Sequence, residues 1–358
     1  MISEKDIKRC ANAIVDCVNL KKGECVYLVS GAHLFDLVEE VEMLIMEKGC
    51  HCVSVVKRDE RYKKIMERIP ADKLENPDKN LLALAEESDV YIHIDRYEDP
   101  SIKNCAVEEK ILSLDKKMSH LRDVIYGQNK KWLYAGFPTK KQAEYYGIEW
   151  EKYKTFLIEG MCCDKKKMIE DEKWLEYMFM FCNKVHVWDE YGTDFVVYVE
   201  NRPILLDTGI ISDDMIKNGW VGSNLPAGEV FVAPHETKGS GQIFCPLTKD
   251  RSSGKIIRNT TLVFEDGVLN FDKCKSDNLE QIKKTFDNVA KIDAEKYDTI
   301  RTYNIAELGI GCNPEIKEHI GFILTDEKIG GSVHLAFGGN EHFKGKSESS
   351  SKRFGISI

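Results

Sequence analysis

The chain has 358 residues, more than one average domain of roughly 150 residues holds, so two domains are expected. With 42% hydrophobic and 31% charged residues it has the composition of a globular protein, which excludes a disordered chain. A formal charge of −9 excludes nucleic acid as the partner, because displacing condensed counterions needs a basic patch and no run of Lys or Arg supplies one.

Residues 1–19 place Ile7, Ala11, Ile14, Val15 and Val18 on one helical face, among Glu4, Lys5, Asp6, Lys8 and Arg9. That is an amphipathic helix; a secretory leader would carry an uninterrupted apolar stretch. No window reaches the roughly 18 apolar residues of a membrane span. The expected location is therefore the cytoplasm, with no membrane partner. Twelve cysteines without a single C-x-x-C pair are accordingly expected as reduced thiols, not as a disulfide framework or a zinc ribbon.

A buried-strand run at 25–30, a helical pattern at 34–44 and a β-branched run at 51–56 make a βαβ unit, which implies a parallel sheet. Two further strands are expected at 90–94 and 131–134. Residues 1–183 are thus expected to form a doubly wound α/β domain. Its first strand–helix turn, Ser30-Gly31-Ala32-His33, matches neither G-x-G-x-x-G nor the Walker spacing, so no nucleotide cofactor is expected. Residues 148–182 read as helix. From 184 short strands (185–188, 195–199) alternate with turns at Gly192, Gly209, Gly241, Gly254 and Gly267, and one more helix lies near 279–289. Residues 184–358 are expected as a second, sheet-rich α/β domain.

The chemistry lies in this second part. Nine histidines include no H-E-x-x-H and no H-x-H. Glu229, however, stands between the turn Pro226-Ala227-Gly228 and the apolar Val230-Phe231, where a carboxylate must face water or a cation. Glu307 is set similarly between Ile305-Ala306 and Leu308-Gly309-Ile310-Gly311. Asp326-Glu327-Lys328 closes an expected strand at 321–325, and His334 lies inside the apolar run Val333 to Phe337. Three carboxylates and a histidine at strand ends compose a site for a hard cation. Taken singly, each carboxylate is more often a solvated strand end, and the histidine more often a hydrogen-bonded core residue, than a ligand.

The segments 132–139 (ending Phe-Pro-Thr), 164–168, Tyr191-Gly192-Thr193-Asp194, 224–234 and 326–338 resemble, in order and over nearly the whole chain, the aminopeptidase T family of metallopeptidases. The resemblance implies a homodimer that hydrolyses amides of peptides or small molecules with two divalent ions. It assigns Glu229, Glu307 and His334 as metal ligands, and Glu327 as a further ligand or a neighbour of one. The family's H-x-D-G segment has no counterpart: Lys352 stands where the histidine is expected and Phe354 where the aspartate is expected. The family's catalytic tyrosine falls at Glu341.

The remaining ligands suit one divalent ion (zinc, cobalt or iron) per chain rather than two. The Lys352 ammonium is expected either in the place of the second ion or in solvent. Glu327 or Glu341 is the candidate general base. Cys312 is a candidate nucleophile or soft ligand, or a buried thiol with no role. Three functions fit: a metal-dependent amide hydrolase with a reduced site, a different small-molecule metalloenzyme such as a mononuclear iron oxygenase or an amide-processing biosynthetic enzyme, and a catalytically silent homologue.

Overall fold

The structure, a computed structural model, describes residues 2–250, 256–296, 298–340, 345 and 354–357. In chain order the helices are α1 (Glu4–Cys17), α2 (Phe35–Glu47), α3 (Asp59–Arg68), α4 (Lys79–Glu87), α5 (Glu108–Gly127), α6 (Lys140–Tyr146), α7 (Trp150–Met161), α8 (Lys165–Phe179), α9 (Asp213–Lys217), α10 (Leu279–Lys296) and α11 (Ile323–Asp326). The strands are β1 (Cys25–Gly31), β2 (His51–Lys57), β3 (Val90–Ile94), β4 (Lys131–Ala135), β5 (Lys184–Trp188), β6 (Asp194–Tyr198), β7 (Ile204–Leu206), β8 (Gly222–Leu225), β9 (Glu229–Val232), β10 (Ser240–Lys249), β11 (Ile256–Glu265), β12 (Val268–Leu269), β13 (Ile305–Gly311), β14 (Val333–Phe337) and β15 (Phe354–Ser357).

The first compact unit comprises residues 1–165 and 208–227. Its parallel sheet runs in the order β2-β1-β3-β4-β8. β1 is an almost continuous apolar run because it is buried on both faces, as a central parallel strand must be. One face carries Tyr27 and Val29 against Ala85 of α4 and Leu121 and Ile125 of α5. α1 begins at an N-cap, where the Ser3 hydroxyl accepts from the Asp6 amide, and buries Cys10, Ala11, Ile14 and Val15, the face its spacing predicts.

The second unit comprises 166–207 and 228–358. It holds two antiparallel sheets, ordered β12-β11-β10-β6-β5 and β15-β14-β13-β9-β7. The contacts therefore do not divide the chain at 183/184. α8 belongs almost entirely to the second unit, and 208–227 returns to the first because Gly222–Leu225 pairs in parallel with β4 and completes its sheet. Such an exchange leaves no mark in composition. The strand expected at 321–325 is also absent: the segment forms the short helix α11, whose turn is closed by the Asp326 carboxylate accepting from the Ile320 amide at 2.9 Å.

One prediction concerns the first unit. Lys57 ends β2 opposite Gly31 of β1. Burial, with Arg96 and Arg61 adding repulsion, brings its ammonium down to about 8 from 10.5. A depressed base costs the folded state stability while it is protonated, so the cost is complete below about pH 8 and fades as the pH rises towards 10.5. Lys57→Met is expected to melt higher than the parent at neutral pH, with the difference shrinking in alkaline buffer. A constant difference across that range would show that the charge is not its cause.

Candidate metal centre

The third sheet places the site. Glu229 opens β9 and pairs with Gly311 of β13, Glu307 lies within β13, and His334 lies on β14 opposite Gly309. All three side chains are buried, and their ligand atoms lie within 4.8 Å of one another. His334 Nε2 is 3.0 Å from Glu307 Oε1 and 3.1 Å from Glu229 Oε2. Gly309 makes this convergence possible. A Cβ there would meet the His334 ring at 2.2 Å, so only a glycine lets the imidazole lie across β13. Gly309→Ala is expected to push the ring aside and to weaken binding of a divalent ion by about 10-fold or more, read by calorimetric titration. Unchanged affinity would mean that the ring orientation does not matter.

A fourth charged group completes the cluster. Lys328, fully buried, holds its Nζ 2.5 Å from Glu229 Oε1, 3.8 Å from Asp207 Oδ2 and 4.0 Å from Glu327 Oε2. It arrives there because the loop after α11 runs close to β13: a Cβ on Gly311 would meet the Ile329 carbonyl at 2.1 Å, and the Asn313 amide donates to the Lys328 carbonyl. Burial opposes its charge, yet Glu229, Asp207 and Glu327 together raise its pKa. Burial likewise opposes ionisation of Glu229, but Lys328 and His334 outweigh it and bring the carboxyl to about 2. Glu172 of α8 has the opposite fate. Burial, with Asp207 and Glu229 adding, pushes it up to about 9, and Lys328 offsets only part, so it is a neutral acid at neutral pH.

Of the residues expected from the sequence, Glu229, Glu307 and His334 meet. Glu327 stands half-buried at their margin, beside Lys328. Cys312 is close enough to feel Glu172 and Glu229, but burial first and those carboxylates second push its thiol up to about 12. A nucleophilic thiolate needs the reverse, so Cys312 is a poor candidate for that role. Asp326 turns away, 3.4 Å from His319, and His235 Nε2 lies 3.0 Å from the Glu200 carbonyl oxygen. Glu341 and Lys352 lie outside the described residues. β15 pairs with β14 in a register that sets Phe354 opposite Phe337 and Ser357 opposite His334. Sequence reasoning missed Lys328, Asp207 and Glu172. Lys352, expected either in the place of the second ion or in solvent, is among the residues not described; Lys328 is the lysine found beside Glu229 and Asp207.

The donor set fits a divalent cation. A single Nε2–H could point at only one of the two carboxylate oxygens that approach it. Nδ1 is buried with no hydrogen-bond partner among the described residues, so the polar contacts of the imidazole all lie on the Nε2 side, towards the two carboxylates. Two carboxylate oxygens and an imidazole nitrogen converging at this spacing suit zinc, cobalt or iron.

A parallel-sheet unit and an antiparallel unit that buries two glutamates against a histidine make an α/β protein with a candidate metal centre. Residues 3–354 match the family described as thermophilic metalloprotease, M29, and the chain belongs to that family. Among solved structures it is similar to wild-type AmpT from Thermus thermophilus, with a TM-score of 0.73 and 16% identity over 99% of this chain and 92% of that one. It is also similar to 2,5-dihydroxypyridine dioxygenase from Pseudomonas putida KT2440, with a TM-score of 0.61 and 13% identity over 100% and 93% of the two chains. No curated protein matches by sequence. Both structural likenesses concern the fold. Within the described residues no helix is long and apolar enough to cross a membrane.

Proposed function

We propose that the chain is a metal-dependent amide hydrolase of the aminopeptidase type, working with one divalent ion per chain and Lys328 as a built-in second cation. The observation that carries this reading is the buried convergence of Glu229, Glu307 and His334, whose ligand atoms lie within 4.8 Å of one another, with the Lys328 ammonium 2.5 Å from Glu229 and 3.8 Å from Asp207. Buried charged groups of this kind are prohibitive unless paired, which a cation at the three ligand atoms supplies.

A divalent cation held by Glu229, Glu307 and His334 supplies Lewis-acid chemistry to an amide carbonyl. The protein's own groups do the rest. Lys328 fixes Glu229 in its ionised form and in its orientation. Glu327, half-buried beside Lys328, takes the general-base role, receiving a proton from the attacking water and returning it to the leaving amine. Asp207, 3.8 Å from the ammonium, adds a second carboxylate beside it. The family membership supports peptides or other amides as substrates, and a homodimer is the proposed assembly.

A second reading is favoured by the donor set itself. Two carboxylates and one imidazole also suit ferrous iron, and the fold is shared with a 2,5-dihydroxypyridine dioxygenase. The test is hydrolysis of aminoacyl anilides by metal-stripped protein reconstituted with cobalt, zinc or ferrous iron. Metal-dependent anilide release is expected. Oxygen consumption on a dihydroxypyridine with iron alone, and no anilide release with any metal, would replace the hydrolase by the oxygenase.

A further inference from the structure

We propose that Cys162 and Cys10 form an oxidisable dithiol in the first unit, a modification site that reacts with hydroperoxides and closes to a disulfide between α1 and the end of α7. The two sulfurs already lie 3.9 Å apart. A disulfide needs about 2.05 Å, and rotation of the two cysteine side chains is the movement that closes the difference. The partners are asymmetric. Cys10 is fully buried on the inner face of α1, whereas Cys162, the C-cap of α7, is half-buried.

Cys162 also opens on a cavity of about 850 Å³ whose wall includes Lys5, Lys8, Arg9 and Lys165 together with Cys163. A small oxidant therefore has access to one sulfur and not to the other. The hydrogen bond from Cys10 holds the Cys162 thiol below its ordinary pKa against the opposing effect of burial, and the Arg9 guanidinium adds to this. Cys10 is held protonated by the same bond and by burial. Arg9 is itself fixed by Glu159, with N–O distances of 2.9 and 2.8 Å, so its charge stays beside the sulfur.

These properties assign the steps. The Cys162 thiolate attacks one oxygen of a hydroperoxide; the S–O bond forms, the O–O bond breaks, and water or an alcohol leaves with a proton from solvent. The Cys10 thiol, losing its proton, then attacks the Cys162 sulfur; the S–S bond forms and the sulfenic oxygen leaves as water. Two thiols are oxidised to one disulfide, and the hydroperoxide is reduced by two electrons. The metal-site residues all belong to the second unit and take no part.

The experiment is a time course of the full-length reduced protein with one equivalent of hydrogen peroxide, quenched by alkylation and mapped by peptide mass spectrometry without reduction. The peptide pair linking Cys10 to Cys162 is expected to appear at least about 10-fold faster than oxidation of the exposed Cys105, and to vanish with dithiothreitol. Cys10→Ser should instead leave a sulfenic acid on Cys162, trapped by dimedone, and Cys162→Ser should abolish both products. Oxidation of Cys105 before the pair, or a link from Cys162 to Cys163 in its place, would overturn the proposal. The wild-type map decides the matter even if a variant folds poorly.

Discussion

Replacing Lys328 by methionine is expected to lower the stability of the metal-free protein by about 3–5 kcal/mol, since the change strips a buried ammonium from the carboxylates around it. Glu229 loses a partner at 2.5 Å, and Asp207, only 1% exposed, loses the nearest positive charge at 3.8 Å. Two controls separate charge from packing. Adding a divalent ion should restore much of the loss in Lys328→Met, because Asp207, Glu229 and Glu327 then surround a space that lacks a cation. Lys328→Met combined with Glu229→Gln should be more stable than Lys328→Met alone, because one stranded charge has gone. Denaturant titration reads all three proteins. A single variant that unfolds at the parent's midpoint would refute the role given to this lysine.

His334→Ala carries the second large effect. The imidazole is the only nitrogen donor among the described ligand group, and its Nε2 stands between both glutamates. Without it two carboxylates face each other with nothing shared. Affinity for zinc or cobalt should fall by at least about 100-fold, and anilide hydrolysis should fall with it. Gln in place of Glu307 should act in the same direction, keeping the shape and removing the charge. If His334→Ala binds the ion as tightly as the parent, the ion is held elsewhere and the cluster is structural.

The candidate ligands stood out because each broke a local pattern, and the family resemblance is what assigned them. His334 interrupts an apolar strand, Glu307 sits in a run of Ile, Ala and Leu, and Glu229 follows a Pro-Ala-Gly turn; in each case burying the group demands a partner. Lys328 gave no such signal, since a lysine that follows two acids reads as a solvated strand end. Its burial depends on the close passage of the 328–331 loop over Gly311, a tertiary contact. Glu172 was hidden for another reason. It belongs to the charged run Glu170-Asp171-Glu172-Lys173, and only the packing of α8 decides which member points inward. Asp207 follows a three-residue strand, too short to show a period.

Local pattern also fixed the parallel sheet better than the partition of the chain. β1 to β3 followed from runs rich in β-branched residues and β4 from an aromatic one, whereas β8 is the tetrapeptide Gly222-Ser223-Asn224-Leu225, whose place beside β4 comes from pairing rather than propensity. The reversal at 321–325 has the same origin: Phe322-Ile323-Leu324 suits a strand, but the Asp326 carboxylate caps the preceding turn and the segment coils.

The central claim is that Lys328 serves as one cation of this site and a single divalent ion as the other. Elemental analysis of the protein, loaded with excess zinc or cobalt and passed through a desalting column, tests it most directly. One ion per chain is the predicted result; two ions per chain, or none, would contradict it.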